Sequence, residues 1–137
     1  MLALLLAMIA AVCLPTESVA KPKKSKVYIF GLSINFTDSV TYITDIQTLP
    51  EGYIESRNGF LYDRSIYSQQ LQVWVEHAKQ QPNTTCMVFF NTNRDKLEKK
   101  FLKIRQKYMK DTSTNLRHLD SGEFKFIQLE WTEHEKL

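Results

Sequence analysis

Residues 27–49 read VYIFGLSINFTDSVTYITDIQTL, and their pattern decides the class of fold. Val27–Phe36 is apolar in both phases at its start. It then alternates, with Leu32, Ile34 and Phe36 on one side. That pattern suits a strand covered on both faces where it begins and on one face where it ends. Thr37-Asp38-Ser39 is turn chemistry. Val40–Leu49 is rich in β-branched residues and keeps Val40, Tyr42 and Ile46 in one phase. Two such runs across a short polar turn predict a β-hairpin.

Downstream, Pro50–Arg64 contains Pro, two Gly and Asn-Gly, which predicts a long loop with room for a small hairpin at Asn58-Gly59. The period then changes. Tyr67, Leu71, Trp74 and Ala78 step by helical spacing and predict a helix over Ser65–Gln81, capped by Asp63 or Ser65 and stopped by Pro82. Thr84–Phe90 is short and apolar throughout, as a central strand would be. Leu97, Phe101, Ile104 and Tyr108 mark a second helix over Asn93–Lys110. Thr114–Asp120 and the alternating Phe124–Trp131 predict two closing strands. The fold expected is α+β: a mixed sheet of four or five strands, in the order β-β-α-β-α-β-β, covered by two amphipathic helices. A strand, a helix and a strand in succession favour a right-handed parallel crossover, so Thr84–Phe90 and Thr114–Asp120 should run in the same direction.

Upstream, residues 1–14 are apolar and meet Pro15 and Glu17, too short a run for the roughly 20 residues that span a bilayer. The length suits a secretory signal, and Ser18-Val19-Ala20 offers small residues for cleavage after Ala20. The expectation is an exported protein, periplasmic or secreted. It comprises a signal over 1–20, a basic leader over 21–26, a single domain over 27–131 and a polar tail over 132–137, with no transmembrane segment once the signal is removed. Cleavage would raise the formal net charge from +3 to +4, because it removes Glu17 and no base. It would also leave Cys86 as the one cysteine, in a run apolar enough for it to be an inert core residue. Two triplets, Asn35-Phe36-Thr37 and Asn83-Thr84-Thr85, fit N-glycosylation, and Asp38-Ser39-Val40 fits an O-glycosylation acceptor.

Three places could carry function. Asn91, Thr92, Asn93 and Arg94 lead from the third strand into the start of the second helix, where free N–H groups favour anions; capping alone also explains those residues. The second helix holds eight bases against Asp95 and Glu98. Lys99, Lys103 and Lys107 head a surface for an acidic protein, an anionic glycan or a lipid head group. Nucleic acid is disfavoured, because no aromatic rank interleaves the bases. The loop residues Tyr53, Arg57, Phe60, Tyr62, Asp63 and Arg64 combine the Tyr and Arg that interfaces favour. No metal or cofactor is expected: His77, His118 and His134 lack metal-ligand spacing. A non-catalytic binding or accessory domain of the cell envelope is the leading reading. A small hydrolase using Asp63, Arg64 and Asp45 is the alternative.

The export signal together with KVYIFGLSINFTDSVTYITDIQ, GFLYDRSIYSQQL and FFNTNRDKLEKKFLKIRQKY resembles small exported proteins of unknown function from Bacteroidales-type bacteria. The resemblance implies a compartment and no activity.

Overall fold

The computed structural model describes residues 21–131. The signal expected over 1–20 and the tail expected over 132–137 lie outside the described residues. The elements are β1 (Lys23–Asn35), β2 (Val40–Thr44), β3 (Gln47–Ile54), α1 (Arg64–Ala78), β4 (Thr85–Asn91), α2 (Arg94–Lys110) and β5 (Asn115–Leu119). The fold is α+β, with a mixed five-stranded sheet and two helices.

The hairpin is the centre of the sheet. β1 pairs antiparallel with β2 over Leu32–Asn35 and with β3 over Lys23–Ile29. Between those stretches β1 spends two residues, Phe30 and Gly31, where the opposite arm spends three, Thr44, Asp45 and Ile46. β2 and β3 are therefore one arm interrupted by a β-bulge, which bends the arm and re-aims a side chain. Asp45 is in that bulge, and its N–H turns away from β1 to bond the carbonyl of Leu119 in β5. A second irregularity, between Ser25 and Val27, accommodates Pro50, which has no N–H to offer a ladder. The segment expected as a basic leader belongs to the sheet: Lys23, Lys24 and Ser25 pair with Ile54, Tyr53 and Gly52.

β4 pairs with β1 over Tyr28–Ile34, a stretch that overlaps the β2 and β3 pairings. It must therefore occupy the other edge of β1. The sheet runs β4, β1, the β2–β3 arm, then β5, with β5 parallel to β2. β4 and β5 do run in the same direction, as the crossover reading expects, but the hairpin separates them. β4 is a half-buried edge strand and not a central one. Its apolar run reflects two covered faces, which say nothing about its number of neighbours.

The helices take opposite faces. Alternation along β1 sends Val27 and Ile29 into a core with Tyr67, Leu71 and Val75 of α1. It sends Phe30 and Leu32 into a core with Leu97, Phe101 and Ile104 of α2. The crossover through α1 moves from the β2–β3 arm to β4, and the crossover through α2 moves back from β4 to β5. Two crossovers of one hand that move in opposite directions must lie on opposite faces.

α1 packs mainly on β4 and β1, so one helix leaves much of the same face of β2, β3 and β5 uncovered. Residues 124–131 cover the gap. Phe124 and Phe126 are buried beside Tyr42, Leu49 and Leu119. This segment was expected to be a strand, and it is extended but forms no ladder. Apart from the Phe124 N–H, which bonds the Asp120 carbonyl at 3.1 Å, its backbone bonds go to side chains. Gln47 donates to the Phe124 carbonyl at 2.9 Å and accepts the Phe126 N–H at 2.8 Å. Gln70 on α1 treats Ile127 the same way, at 2.9 and 2.8 Å. The Leu129 N–H bonds the Tyr67 hydroxyl at 2.9 Å.

Candidate functional site

α2 is the most strongly charged element, and its neighbours divide its surface into three. At about 100° per residue, Leu97, Phe101, Ile104 and Tyr108 form the stripe that meets the sheet. Lys96, Lys99, Lys103, Lys107 and Lys110 fall within about 80° of arc on the outer surface, and all five are exposed. No acid shares that sector. Glu98 lies on the other flank, with Arg94 and Arg105, and Asp95 stands at the border of the lysine sector, one turn before Lys99. Lys100 borders the lysine sector, and its ammonium stands 5.4 Å from the ring centroid of Phe89 on β4. The basic surface of α2 therefore reaches over the β4 edge of the sheet through Lys100.

The other flank faces the bulge and β5 across a cleft of about 680 Å³. There Asp45 holds two partners: one carboxylate oxygen meets His118 Nε2, and the other accepts the Ser121 N–H at 3.0 Å. Arg94 Nε donates to Glu98 at 3.0 Å, so much of the charge in this cleft is internally paired. Sequence reading missed His118 as a partner of Asp45, because the two are 73 residues apart and only the parallel β2–β5 pairing brings them together. Neither Asp63 nor Arg64 lines this cleft. Asp63 is the N-cap of α1, in the left-handed region at φ 54°, and the Arg64 guanidinium stacks on Phe60 at 4.1 Å. The three residues of the alternative hydrolase reading are thus not gathered into one site.

The segment ahead of α2 is occupied by its own caps. Asn93 accepts the Lys96 N–H at 3.2 Å, and Asn91 accepts the Asn93 N–H at 2.8 Å. Thr92 is exposed between them. The aromatic loop is a small hairpin that extends β3, closed by Glu55 N–H to the Phe60 carbonyl and Tyr62 N–H to the Tyr53 carbonyl, each at 2.8 Å. Lys24 lies over the Tyr53 ring, and Arg57 and Phe60 are exposed. Leu61 anchors this hairpin in the α1-side core, so the loop and the lysine stripe do not share a face of the sheet. A groove of about 860 Å³ runs between α1 and the extended segment, past Ile66, Val73, Trp74 and Ile127.

Burial raises the Cys86 thiol pKa above its ordinary value, offset in part by the hydroxyls of Ser33 and Thr84. That is the opposite of what a reactive thiolate needs. Of the two N-glycosylation triplets, only the one at Asn83 is exposed. Asn35 is 3% exposed, and its amide nitrogen donates to Gln81 and to the Pro82 carbonyl. A glycan on that nitrogen would break both bonds. Ser39 is exposed at the turn of the β1–β2 hairpin.

Among the described residues no group of three or more His, Cys, Asp or Glu could hold a metal ion, and no helix is long and apolar enough to cross a membrane. Fold and surface together define an α+β domain with one strongly basic helix. No protein family, curated protein or solved structure was found to match the chain.

Proposed function

We propose that this protein is a non-catalytic binding module that engages an acidic protein partner through the lysine stripe of α2, acting outside the cytosol after residues 1–20 are removed. The observation that carries the reading is the sorting of charge on α2. Five lysines share one exposed sector free of acids, with Asp95 at its border and Glu98 on the other flank, paired to Arg94. A face that was only kept solvated would do better with mixed signs, because glutamates spaced among lysines stabilise a helix and like charges one turn apart oppose it. Such a surface attracts anions at range and loses that attraction as salt screens it. The half-buried positions of Phe101 and Tyr108 leave no aromatic stacking platform among the lysines, which speaks against single-stranded nucleic acid.

The test is retention on an anionic resin. The Lys99→Gln, Lys103→Gln, Lys107→Gln triple variant is expected to elute at clearly lower salt than the parent. Replacing the same three residues by Arg is expected to preserve retention. Equal retention of the parent and the Gln variant sinks the reading. The Asp45–His118 contact is the one observation that favours a hydrolase instead. That reading requires turnover of an ester or phosphoester substrate that His118→Gln abolishes.

A further inference from the structure

We infer that the outer edge of β4 is a docking edge for an extended acidic peptide, which joins the sheet as an added strand beneath the basic surface of α2. This rests on the proposed role of α2 as the acid-binding surface and specifies the form of its partner. The orientation of β4 follows from the register. The Gly31 N–H points to the β2 side, where it bonds the Thr44 hydroxyl at 2.8 Å. In an antiparallel ladder, residues alternate between bonding one neighbour and the other. Gly31 is opposite Val88, so Val88 makes no ladder bond to β1. Its N–H and carbonyl, with those of Cys86 and Phe90, point outward. Those groups have no partner among the described residues.

Edge strands are ordinarily guarded by their own charged residues, by Pro, or by a covering element. β4 is Thr-Cys-Met-Val-Phe-Phe-Asn, with no charge and no Pro, and Met87 is 37% exposed. The nearby charge belongs to α2. A neighbouring strand would present alternate side chains to the α2 face, on the side of the helix that carries Lys96, Lys100 and Lys107. Acidic side chains there gain attraction, and basic ones are repelled, so the overhang admits one class of strand and rejects another. A second copy of this chain is the wrong guest. Antiparallel β4–β4 pairing about a two-fold axis normal to the sheet would bring two lysine stripes together on one face.

Amide hydrogen exchange by NMR on the ¹⁵N-labelled full chain tests this directly. The probe is a blocked ten-residue peptide of alternating Val and Glu, with ten-residue polyglutamate as the comparison. In the free protein the amides of Cys86, Val88 and Phe90 should exchange faster than those of Met87 and Phe89, which bond β1. Saturating Val-Glu peptide should slow the three outward amides at least tenfold, and polyglutamate should not. Val88→Pro removes one outward N–H without costing a ladder bond. It should weaken the Val-Glu peptide at least tenfold and leave resin retention unchanged. If the peptide shifts the lysine resonances while the three amides exchange as before, strand addition is wrong and the acidic surface stands. If neither probe binds at low salt, both are wrong.

Discussion

The Phe126 N–H is bonded by the side-chain oxygen of Gln47 at 2.8 Å, and the same amide closes on the Phe124 carbonyl at 2.9 Å. One buried glutamine thus stands in for a neighbouring strand. Substituting Gln47→Leu keeps the volume and removes both partners, leaving a buried N–H and a buried carbonyl unsatisfied. The expected cost is about 2–6 kcal/mol in urea unfolding, since each of the two groups costs roughly 1–3 kcal/mol. Gln70→Leu removes the equivalent pair of bonds at Ile127, which is 73% exposed, so water can replace them. Its expected cost is below about 1 kcal/mol. Equal losses for the two variants would show that the segment is not held through Gln47.

At Gly31 the segment, the sheet and α1 meet. A Cβ at that position would stand 2.6 Å from Leu71 Cδ2 and 3.1 Å from the tip of the Phe126 ring. Leu71 is fully buried, so its side chain can move aside only by displacing packed neighbours. Gly31→Ala is therefore expected to destabilise by about 1–3 kcal/mol, the usual range for overpacking a core. Leu71→Ala should relieve part of the clash, so the double variant should lose less than the two single variants combined. Additive losses in denaturant titrations would place the strain elsewhere.

Much of this architecture is written in local pattern. The hairpin followed from alternation around Thr37–Ser39, and the stripe Leu97, Phe101, Ile104 and Tyr108 proved to be the sheet-facing side of α2. What local pattern cannot carry is the identity of a partner. Alternation at Phe124–Trp131 reported alternate burial correctly, with Phe124 and Phe126 inside and Lys125 and Ile127 outside. It could not say that glutamine side chains, not a strand, satisfy the backbone. The apolar run of β4 likewise reported two covered faces and hid a free edge. In the sequence Asp45 falls inside the β-branched run Val40–Leu49 and stands out only as a hydrolase candidate. Its role as the extra residue of a bulge, held against His118, depends on a pairing partner 73 residues away. The basic surface of α2 was visible as a surplus of charge. Its reach over β4 required the helix to be docked.

Alkaline pH should expose the cost of ionising two groups inside the fold. Burial raises the Cys86 thiol above its ordinary 9.0, the largest influence on it. Burial also raises the Tyr67 phenol above its ordinary 10.0, aided by the nearby Asp63 charge and opposed by the Leu129 N–H. Each group therefore holds its proton more tightly in the folded chain than in the unfolded one. Below pH 9.0 both are protonated in both states, and their contribution to stability is fully present. As pH rises past those ordinary values, the unfolded chain releases protons that the folded chain retains, and stability falls until the folded groups ionise as well. Thermal unfolding followed from pH 7 to pH 11 should show Tm declining from about pH 9 upward. Cys86→Ala should delay the onset toward the tyrosine range, and Tyr67→Phe should remove the later part of the decline at the cost of the Leu129 bond. A Tm that stays flat to pH 11, or a decline that neither substitution alters, would mean that neither side chain is shielded from water as the packing of β4 and α1 requires.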